Sequence, residues 1–515
     1  MKVAFRADAS LYIGSGHIAR CMTLAGELRR RGAEITFVSR AHPGHQIALL
    51  ERAGFTAAIL SGEGLQPPQT EDYAAWRGVS EDQDARETLA AVGTCDWLVT
   101  DHYGLGTTWE GLVRSGAAKI AAIDDLNRAH DADLVIDQNL SDRPARYDQT
   151  PASAKKLLGP AFALLGEEYR AVTRVTVRDD VARICVFFGG ADPKGAVVAA
   201  AEALSSPPFA GVHLDVVVGG ASPHRRTLEA WAARRGRAAV HAGLPGLSTL
   251  MATADLAVGG GGIAMLERCC IGLPQIVLTI AENQVPGTRA LAAQNAVVHL
   301  GPFDTGKDRL AEAVATLAAD ANRRRALSDL GQLLVDGWGS SRVAEQIMPT
   351  PASALSLRRA QESDSRFYYT LVNDPDVRRN SFDSAPIPWD QHQGWFSRRL
   401  ASADSRLWVL TAAGLPVGQV RLDRHGLAGG GERAHIDYSL DPLVRGRGWG
   451  AELIARGLGA FFAEHDMPVR AEVKSANRAS CAIFEKLGFR TVQPEQNDMI
   501  AFEMDRTMFA ARHNA

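Results

Sequence analysis

The sequence lacks the features that mark secreted, metal-clustered and membrane-spanning proteins. Its 515 residues contain six cysteines, none of them in a Cys-x-x-Cys pair. This argues against disulfides and zinc sites and predicts buried free thiols in a reducing compartment. No signal peptide and no apolar run of membrane-spanning length is recognisable in it. We therefore expect a cytoplasmic protein with no membrane partner.

The charge balance excludes another group of functions. A formal net charge of −3 provides no overall attraction for nucleic acid, so nucleotide ligands would have to be held by local sites. No acidic cluster with the spacing of metal ligands stands out, and we expect no metal requirement. The composition carries no signal of an oligomeric state.

The order of apolar and amphipathic segments predicts an α/β fold with three domains. Residues 1–140 and 141–347 each alternate short apolar runs with amphipathic stretches, which is typical of βαβ units with a parallel sheet. A proline-containing linker is predicted at 348–356, followed by a smaller α+β domain at 357–511. The predicted strands are Val3–Arg6, Ile35–Val38, Ala57–Leu60, Trp97–Thr100, Ile120–Ile123, Leu134–Ile136, Ile184–Phe188, Leu214–Val218, Leu256–Val258, Gln275–Thr279 and Val297–Leu300.

A glycine-rich turn follows the first predicted strand. Gly14 and Gly16 allow a tight loop, and they place His17 in the first turn of a helix, where the helix dipole disfavours a protonated imidazole. A neutral histidine facing a cleft can act as a general base. The glycines also match a dinucleotide fingerprint, but they lie too far beyond the strand for that motif.

The first 345 residues resemble the UDP-sugar hydrolases of pseudaminic acid biosynthesis. The resemblance is carried by segments around Asp8 and His17, Asp101-His-Tyr103, Ile123-Asp-Asp125, and Ala281-Glu-Asn283-Gln. It implies hydrolysis of UDP-2,4-diacetamido-2,4,6-trideoxy-β-L-altropyranose at the anomeric carbon. In this interpretation His17 activates water, and Tyr103, Asn283 and Asp8 position the water or the sugar.

That family is similar to the GT-B glycosyltransferases, which implies two Rossmann-type domains with UDP in the cleft between them. The segment from Gly259 to Glu267 resembles their uridine-binding segment. Glu267 would accept hydrogen bonds from the ribose, and backbone N–H groups of the glycines would approach the diphosphate at a helix N-terminus. The UDP-binding residues implied are Gly16, Gly190, Asp192, Gly261, Gly262 and Glu267.

The C-terminal domain resembles the GNAT N-acetyltransferases. Arg445-Gly446-Arg447-Gly448-Trp-Gly450 lies between a predicted strand and a predicted helix, where glycine N–H groups and arginines suit the pyrophosphate of acetyl-CoA. A second matching segment, Asn477 to Phe489, places Asn477 and Ser480 near the pantetheine arm. Many relatives have tyrosine where this chain has Phe484, which has no proton to give to a departing thiolate.

The resemblance extends to acetyltransferases that modify the 4-amino group of a UDP-amino-sugar in the same pathway. Asp437 and Tyr438 are candidates to handle protons of the acceptor amine. Three alternatives remain open at this point. They are a glycosyltransferase fused to an acetyltransferase, a non-catalytic UDP-sugar-binding regulator carrying an acetyltransferase, and a dinucleotide-dependent oxidoreductase.

Overall fold

The chain folds as two compact units, Met1–Met348 and Pro349–Ala515, in a computed structural model. The structure describes residues 1–10, 12–65, 73–172, 175–190, 192, 194–220, 222–426, 432–496 and 498–513. The first unit contains two parallel sheets and the second a mixed sheet. Near-continuous apolar runs form the strands of the parallel sheets because helices cover both faces.

The first lobe is built on a seven-stranded parallel sheet. Its strands are β1 Lys2–Ala7, β2 Glu34–Arg40, β3 Thr56–Leu60, β4 Cys95–Asp101, β5 Ala117–Ile123, β6 Leu134–Asp137 and β7 Lys155–Leu158, in the order β3-β2-β1-β4-β5-β6-β7. The helices are α1 Gly16–Arg30, α2 Ile47–Arg52, α3 Glu81–Val92 and α4 Thr107–Val113, and the next helix in the chain, α5 Glu167–Ala171, packs on the second lobe. The strand order reverses between β1 and β4, so ligands are expected beyond the carboxyl ends of these two strands.

The second lobe repeats this plan with six parallel strands. They are β8 Arg183–Phe187, β9 His213–Val218, β10 Ala238–Ala242, β11 Leu256–Gly259, β12 Gln275–Thr279 and β13 Val298–Pro302, in the order β10-β9-β8-β11-β12-β13. The helices are α6 Ala196–Ala203, α7 Arg225–Arg235, α8 Ser248–Ala252, α9 Ile263–Ile271, α10 Gln284–Ala293, α11 Phe303–Gly306, α12 Leu310–Ala319 and α13 Ala321–Leu334, and the chain then continues into α14 Gly339–Ile347, which packs on α1 of the first lobe. Here the order reverses between β8 and β11, which directs the loops after both strands toward a ligand.

The second unit has a seven-stranded mixed sheet. Its strands are β14 Leu355–Arg359, β15 Ser405–Ala412, β16 Leu415–Gly426, β17 Glu432–Leu440, β18 Val469–Lys474, β19 Arg490–Gln496 and β20 Met499–Met504, and its helices are α15 Ser365–Val372, α16 Pro375–Asn380, α17 Trp389–Ala401, α18 Trp449–Glu464, α19 Arg478–Leu487 and α20 Arg506–His513. The parallel strands β17 and β18 pair only at Ala434–Val469 and His435–Arg470. Beyond His435 they diverge and leave an opening in the sheet.

The predicted fold class, a pair of Rossmann-type domains followed by an α+β domain, is confirmed, but several predicted bounds differ from the structure. The first sheet continues to Leu158, beyond the predicted boundary at residue 140. Helix α14, assigned by sequence to the second lobe, packs on α1, where Arg31 Nη1 lies 2.8 Å from Glu345 Oε2. The predicted helical run Lys307–Leu334 is interrupted at Asp320, whose carboxylate accepts the N–H of Arg323 and starts α13.

Candidate active sites

His17 lies at the reversal point of the first sheet. It is the second residue of α1, and its Nδ1 is 2.6 Å from Oδ1 of Asp101, the last residue of β4. Among the described residues, Nε2 has no hydrogen-bond partner. Arg20, one turn further along α1, contacts both oxygens of Asp101, at 2.5 and 2.7 Å. The contact with Asp101 orients the imidazole through Nδ1. Nε2 is therefore left to accept a proton.

The charge state of Asp101 follows from its neighbours. Burial opposes its ionisation, but Arg20 and then His17 lower the pKa of Asp101 well below its ordinary value. The carboxylate is therefore ionised at neutral pH and accepts the Nδ1 proton. The sequence suggested that the N-terminus of α1 sets the environment of His17. The structure adds the buried carboxylate of Asp101 and the buried guanidinium of Arg20, which both contact its imidazole.

Aromatic rings enclose the imidazole of His17. Tyr103 lies edge-on with ring centroids 4.6 Å apart, Trp76 is at 6.3 Å, and the two aromatic rings stack on each other at 5.6 Å. His17 is 7% exposed, so it lies at the wall of the lobe and not on an open surface. Burial and then Asp125 raise the pKa of Tyr103, which keeps its hydroxyl protonated.

Two predicted residues from opposite lobes touch. Nδ2 of Asn283, which precedes α10 of the second lobe, donates to the hydroxyl of Tyr103 at 3.0 Å. The structure therefore brings His17, Tyr103 and Asn283 together, as the interpretation of the sequence requires. A second approach of the lobes occurs nearby, where a Cβ built on Gly190 would lie 3.6 Å from Oγ of Ser15, the neighbour of Gly16.

Asp8 does not join this group. Its side chain is fully buried, with Oδ1 2.6 Å from Arg6 and 2.7 Å from the N–H of Arg40. Oδ2 lies 3.4 Å from Nε2 of both His42 and His102. Both oxygens of Asp8 face buried groups of the lobe, and the expected role of Asp8 in positioning water or sugar stays a prediction.

Asp192 also has a different role from the one implied by resemblance. Its two carboxylate oxygens accept the N–H groups of Ala196 and Val197, each at 2.9 Å, and the side chain is buried. It therefore caps α6 and has no oxygen directed at a ligand. Gly190, two residues earlier, is exposed and remains available to a nucleotide.

The two glycines before α9 differ in what they can offer a phosphate. The N–H of Gly261 donates to Oε1 of Gln284 at 3.2 Å, so it is already used inside the lobe. A Cβ atom built on Gly261 would lie 2.3 Å from Oγ1 of Thr288. Close packing therefore explains why this position holds a glycine. Gly262 is exposed and precedes the first residue of α9, so it keeps the expected position at the helix N-terminus.

Glu267 lies on α9 and is partly buried. Burial raises the pKa of Glu267 to about 7, while a hydrogen bond with Tyr169 opposes part of the shift. A carboxyl group with this pKa changes its protonation state within the physiological range. Both of its oxygens can accept hydrogen bonds from ribose hydroxyls only when the carboxyl group is ionised.

The sequence did not reveal every residue of this group. Asp101 stands in the Asp101-His-Tyr103 segment that carries the family resemblance, yet no role was assigned to it. Arg20, three residues after His17, belongs to the first resembling segment, but no role was assigned to it either. The signal that could have found the pair was the position of Asp101 at the carboxyl end of a strand beside β1.

In the second unit, one cavity contains most of the predicted acetyl-CoA residues. It has a volume of about 730 Å³ and opens where β17 and β18 diverge. Its lining includes Arg445, Gly446, Gly448, Gly450, Asn477 and Ser480 together with Asp437, Tyr438 and Phe484. Gly446 and Gly448 both have φ of +79°, a left-handed conformation that favours glycine.

The two arginines of this loop already have partners within the domain. Arg445 is paired with Asp374 at 2.7 Å and Asp376 at 3.0 Å, so its charge is already compensated. The guanidinium of Arg447 lies over the ring of Trp449, 5.2 Å from its centroid, and the residue is not part of the cavity lining. Backbone N–H groups of the loop and the start of α18 therefore remain the main features suited to a pyrophosphate.

Tyr438 lies beside Phe484, whose ring carries no hydroxyl group. Its hydroxyl is 2.8 Å from Oγ of Ser480, and its ring centroid is 5.9 Å from that of Phe484. Burial raises the pKa of Tyr438, which keeps the proton on the phenol. Asp437 is exposed, with Oδ1 2.8 Å from Nε2 of Gln419. Asn477 begins α19 by accepting the N–H of Ser480.

Within the described parts of the chain, no helix has both the length and the apolar character needed to cross a membrane. Over the same residues, no group of three or more histidine, cysteine, aspartate or glutamate side chains is arranged to hold a metal ion.

Three curated relatives match parts of the chain. It is 31% identical over 191 residues to the spore coat polysaccharide biosynthesis protein SpsG of Bacillus subtilis, covering 36% of this chain and 54% of that protein. It is 26% identical over 171 residues to the UDP-2,4-diacetamido-2,4,6-trideoxy-β-L-altropyranose hydrolase of Campylobacter jejuni, covering 33% of this chain and 53% of the hydrolase. The chain therefore spans about half the length of these two relatives.

The third relative extends over both units. It is the uncharacterized protein MJ1062 of Methanocaldococcus jannaschii, 20% identical over 423 residues, with 80% of each chain covered. The model of the acetyltransferase (GNAT) domain family matches residues 354–490, which includes β14 through α19 and the 730 Å³ cavity. The chain therefore carries a GNAT acetyltransferase domain in its second unit.

Proposed function

We propose that the first unit hydrolyses a UDP-sugar to UDP and the free sugar. The substrate proposed is UDP-2,4-diacetamido-2,4,6-trideoxy-β-L-altropyranose, as for the relative from Campylobacter jejuni. The observation that carries the proposal is the contact of the His17–Asp101 pair with Tyr103, whose hydroxyl accepts a hydrogen bond from Asn283 of the other lobe. A base and two polar groups thus meet where both lobes contribute to one site.

The chemistry follows from these groups. Nε2 of His17 takes a proton from water while Asp101 holds the Nδ1 proton and stabilises the imidazolium that forms. The water oxygen forms a bond to the anomeric carbon as the bond from that carbon to the phosphate oxygen breaks. UDP leaves as an anion, which backbone N–H groups at the start of α9 stabilise.

The second unit is proposed to transfer an acetyl group from acetyl-CoA to the 4-amino group of a UDP-amino-sugar. The glycine loop before α18 would receive the pyrophosphate, and the gap between β17 and β18 would receive the pantetheine arm. The product of this reaction would be the substrate of the first unit, so one chain would carry two consecutive steps. All six cysteines are buried and none forms a disulfide, which suits the cytoplasmic location we propose.

One incubation tests both activities. The full chain is supplied with the UDP-4-amino-sugar with or without acetyl-CoA, and products are followed by mass spectrometry. We expect N-acetylated UDP-sugar first, and then UDP with free diacetamido sugar, without any added sugar acceptor. Tight UDP binding with no turnover would favour the non-catalytic alternative, and UDP release only after addition of an acceptor alcohol would favour a glycosyltransferase.

A further inference from the structure

A buried arginine lies under the glycine loop of the second lobe. Arg268 is on α9 and is 1% exposed. Its Nε donates to Oε1 of Gln275 at 2.6 Å and its Nη2 donates to the carbonyl oxygen of Gly260 at 2.7 Å. Nη1 is buried and has no hydrogen-bond partner among the described residues. The guanidinium therefore has one orphaned donor group directly below the loop.

The buried charge of Arg268 has no ion-pair partner in the part of the chain that the structure describes. Among the described residues, no carboxylate lies within ion-pair distance of the guanidinium of Arg268. The adjacent Glu267 has a pKa raised by burial to about 7 and is directed at Tyr169. An uncompensated buried charge is unfavourable, and an anion bound close by would relieve this cost.

The position of Arg268 indicates which part of the lobe its charge serves. A Cβ built on Gly259 would lie 2.5 Å from Nη1, so the guanidinium packs directly against the loop backbone. The same loop leads through Gly262 into α9, a helix of nine residues whose N-terminus carries partial positive charge. The buried cation and the helix dipole therefore favour an anion at one place, above Gly260–Gly262.

We infer that Arg268 is a positioning residue that makes this loop selective for a diphosphate. Its Nη2 fixes the Gly260 carbonyl away from the ligand, and its charge attracts the diphosphate and stabilises the additional negative charge on the departing UDP. The inference rests on the proposed binding of UDP in the second lobe and adds the residue that distinguishes UDP from an uncharged nucleoside.

The test compares UDP with uridine in three variants of the full chain. Arg268→Gln removes the charge and retains an amide that can donate to Gly260, Arg268→Lys retains the charge, and Arg324→Gln is the matched control. Arg324 is also fully buried in the second lobe, but its donors bind the carbonyls of Leu317 and Arg178. Affinities are measured by calorimetry at about pH 8.5, where Glu267 and the terminal phosphate are ionised.

Arg268→Gln is expected to weaken the affinity for UDP by about tenfold or more and to leave the affinity for uridine within about threefold of the wild-type value. Arg268→Lys should retain most of the UDP affinity, and Arg324→Gln should not change the ratio of UDP to uridine affinity. Equal losses of affinity for UDP and for uridine would show that Arg268 has only a structural role and would overturn the inference. An unchanged UDP affinity in Arg268→Gln would overturn it as well.

A second probe separates this inference from the proposed function. If the wild-type chain binds neither UDP nor uridine, the proposed function fails, and the same variants are heated with and without inorganic pyrophosphate. The inference then still requires pyrophosphate to raise the melting temperature of the wild type and of Arg268→Lys but not of Arg268→Gln. The absence of any pyrophosphate effect on the wild type would overturn it.

Discussion

His17 Nδ1 lies 2.6 Å from Asp101 Oδ1, and this contact joins the first turn of α1 to the carboxyl end of β4. The two residues are 84 positions apart in sequence, and the parallel order of β1 and β4 brings them together. Arg20 holds the other side of the same carboxylate. The geometry gives His17 an orienting partner and explains why an imidazole stays fixed in a largely aromatic environment.

Removal of the base should abolish most of the hydrolysis. We expect His17→Ala to lower kcat for UDP release by about 10²- to 10⁴-fold, because water loses its proton acceptor. UDP binding, measured by calorimetry, should remain largely intact because we propose that the other lobe holds the diphosphate. His45→Ala, which changes an exposed histidine of the same lobe, is the control and should retain wild-type activity. An active His17→Ala enzyme would remove this residue from the mechanism.

The orienting role of Asp101 gives a second prediction. Asp101→Asn retains the shape of the side chain but can no longer hold the Nδ1 proton as a carboxylate does. We expect kcat to fall by about 10²-fold or more. The pH profile of kcat should also shift, since the charge facing the imidazole is lost. A profile that superimposes on that of the wild type would show that Asp101 only supports the fold.

Glu267 predicts a pH dependence of nucleoside binding. Because burial raises its pKa to about 7, the carboxyl group is protonated below this pH and ionised above it. An ionised carboxylate accepts hydrogen bonds from ribose hydroxyls more strongly, so uridine affinity should increase about fivefold from pH 6 to pH 8. Uridine itself does not titrate in this range. Glu267→Gln should flatten the curve, whereas Glu229→Gln, at an exposed position, should not.

Asp192 provides a test that separates an effect on stability from an effect on UDP binding. Its carboxylate caps α6, so Asp192→Ala should lower the free energy of unfolding of the first unit by about 1 kcal/mol and change UDP affinity little. Asp304→Ala removes an exposed partner of Lys194 and should have almost no effect on stability. Loss of UDP affinity in Asp192→Ala at unchanged stability would restore the ligand contact that the sequence implied.

In the acetyltransferase domain, Tyr438 is expected to matter because Phe484 has no hydroxyl. Tyr438→Phe should lower kcat for acetyl transfer about tenfold to a hundredfold with little change in KM for acetyl-CoA. Phe484→Tyr in the Tyr438→Phe background should recover part of the rate. The control is Tyr368→Phe, which removes a buried hydroxyl bonded to the carbonyl of Trp408 outside the cavity. Equal rates in Tyr438→Phe and the wild type would exclude a role for this phenol in proton transfer.

The sequence predicted the sheets well because buried parallel strands are continuous apolar runs. In the two parallel sheets it missed β7 and β10, where Lys155–Leu158 begins with two lysines and Ala238–Ala242 is only partly buried. It also placed α14 in the wrong lobe, because only the fold shows that Arg31 and Glu345 pair across more than 300 residues.

Individual side-chain roles were harder to predict than the site as a whole. His17, Tyr103 and Asn283 converge as the family resemblance implied. Asp8 and Asp192 have the expected positions at strand ends, but Oδ1 of Asp8 and both oxygens of Asp192 accept hydrogen bonds from within the lobe. Sequence gives the residue type at a strand end, whereas the direction of its oxygens depends on neighbours that are distant in the chain.

The central claim is that the first unit transfers a glycosyl group to water. Turnover of UDP-2,4-diacetamido-2,4,6-trideoxy-β-L-altropyranose in ¹⁸O-labelled water, followed by mass spectrometry of both products, tests it most directly. The account predicts one ¹⁸O atom in the released sugar and none in UDP, and it predicts that His17→Ala produces neither labelled sugar nor UDP. Label in UDP, or no UDP release from the wild-type chain, would contradict it.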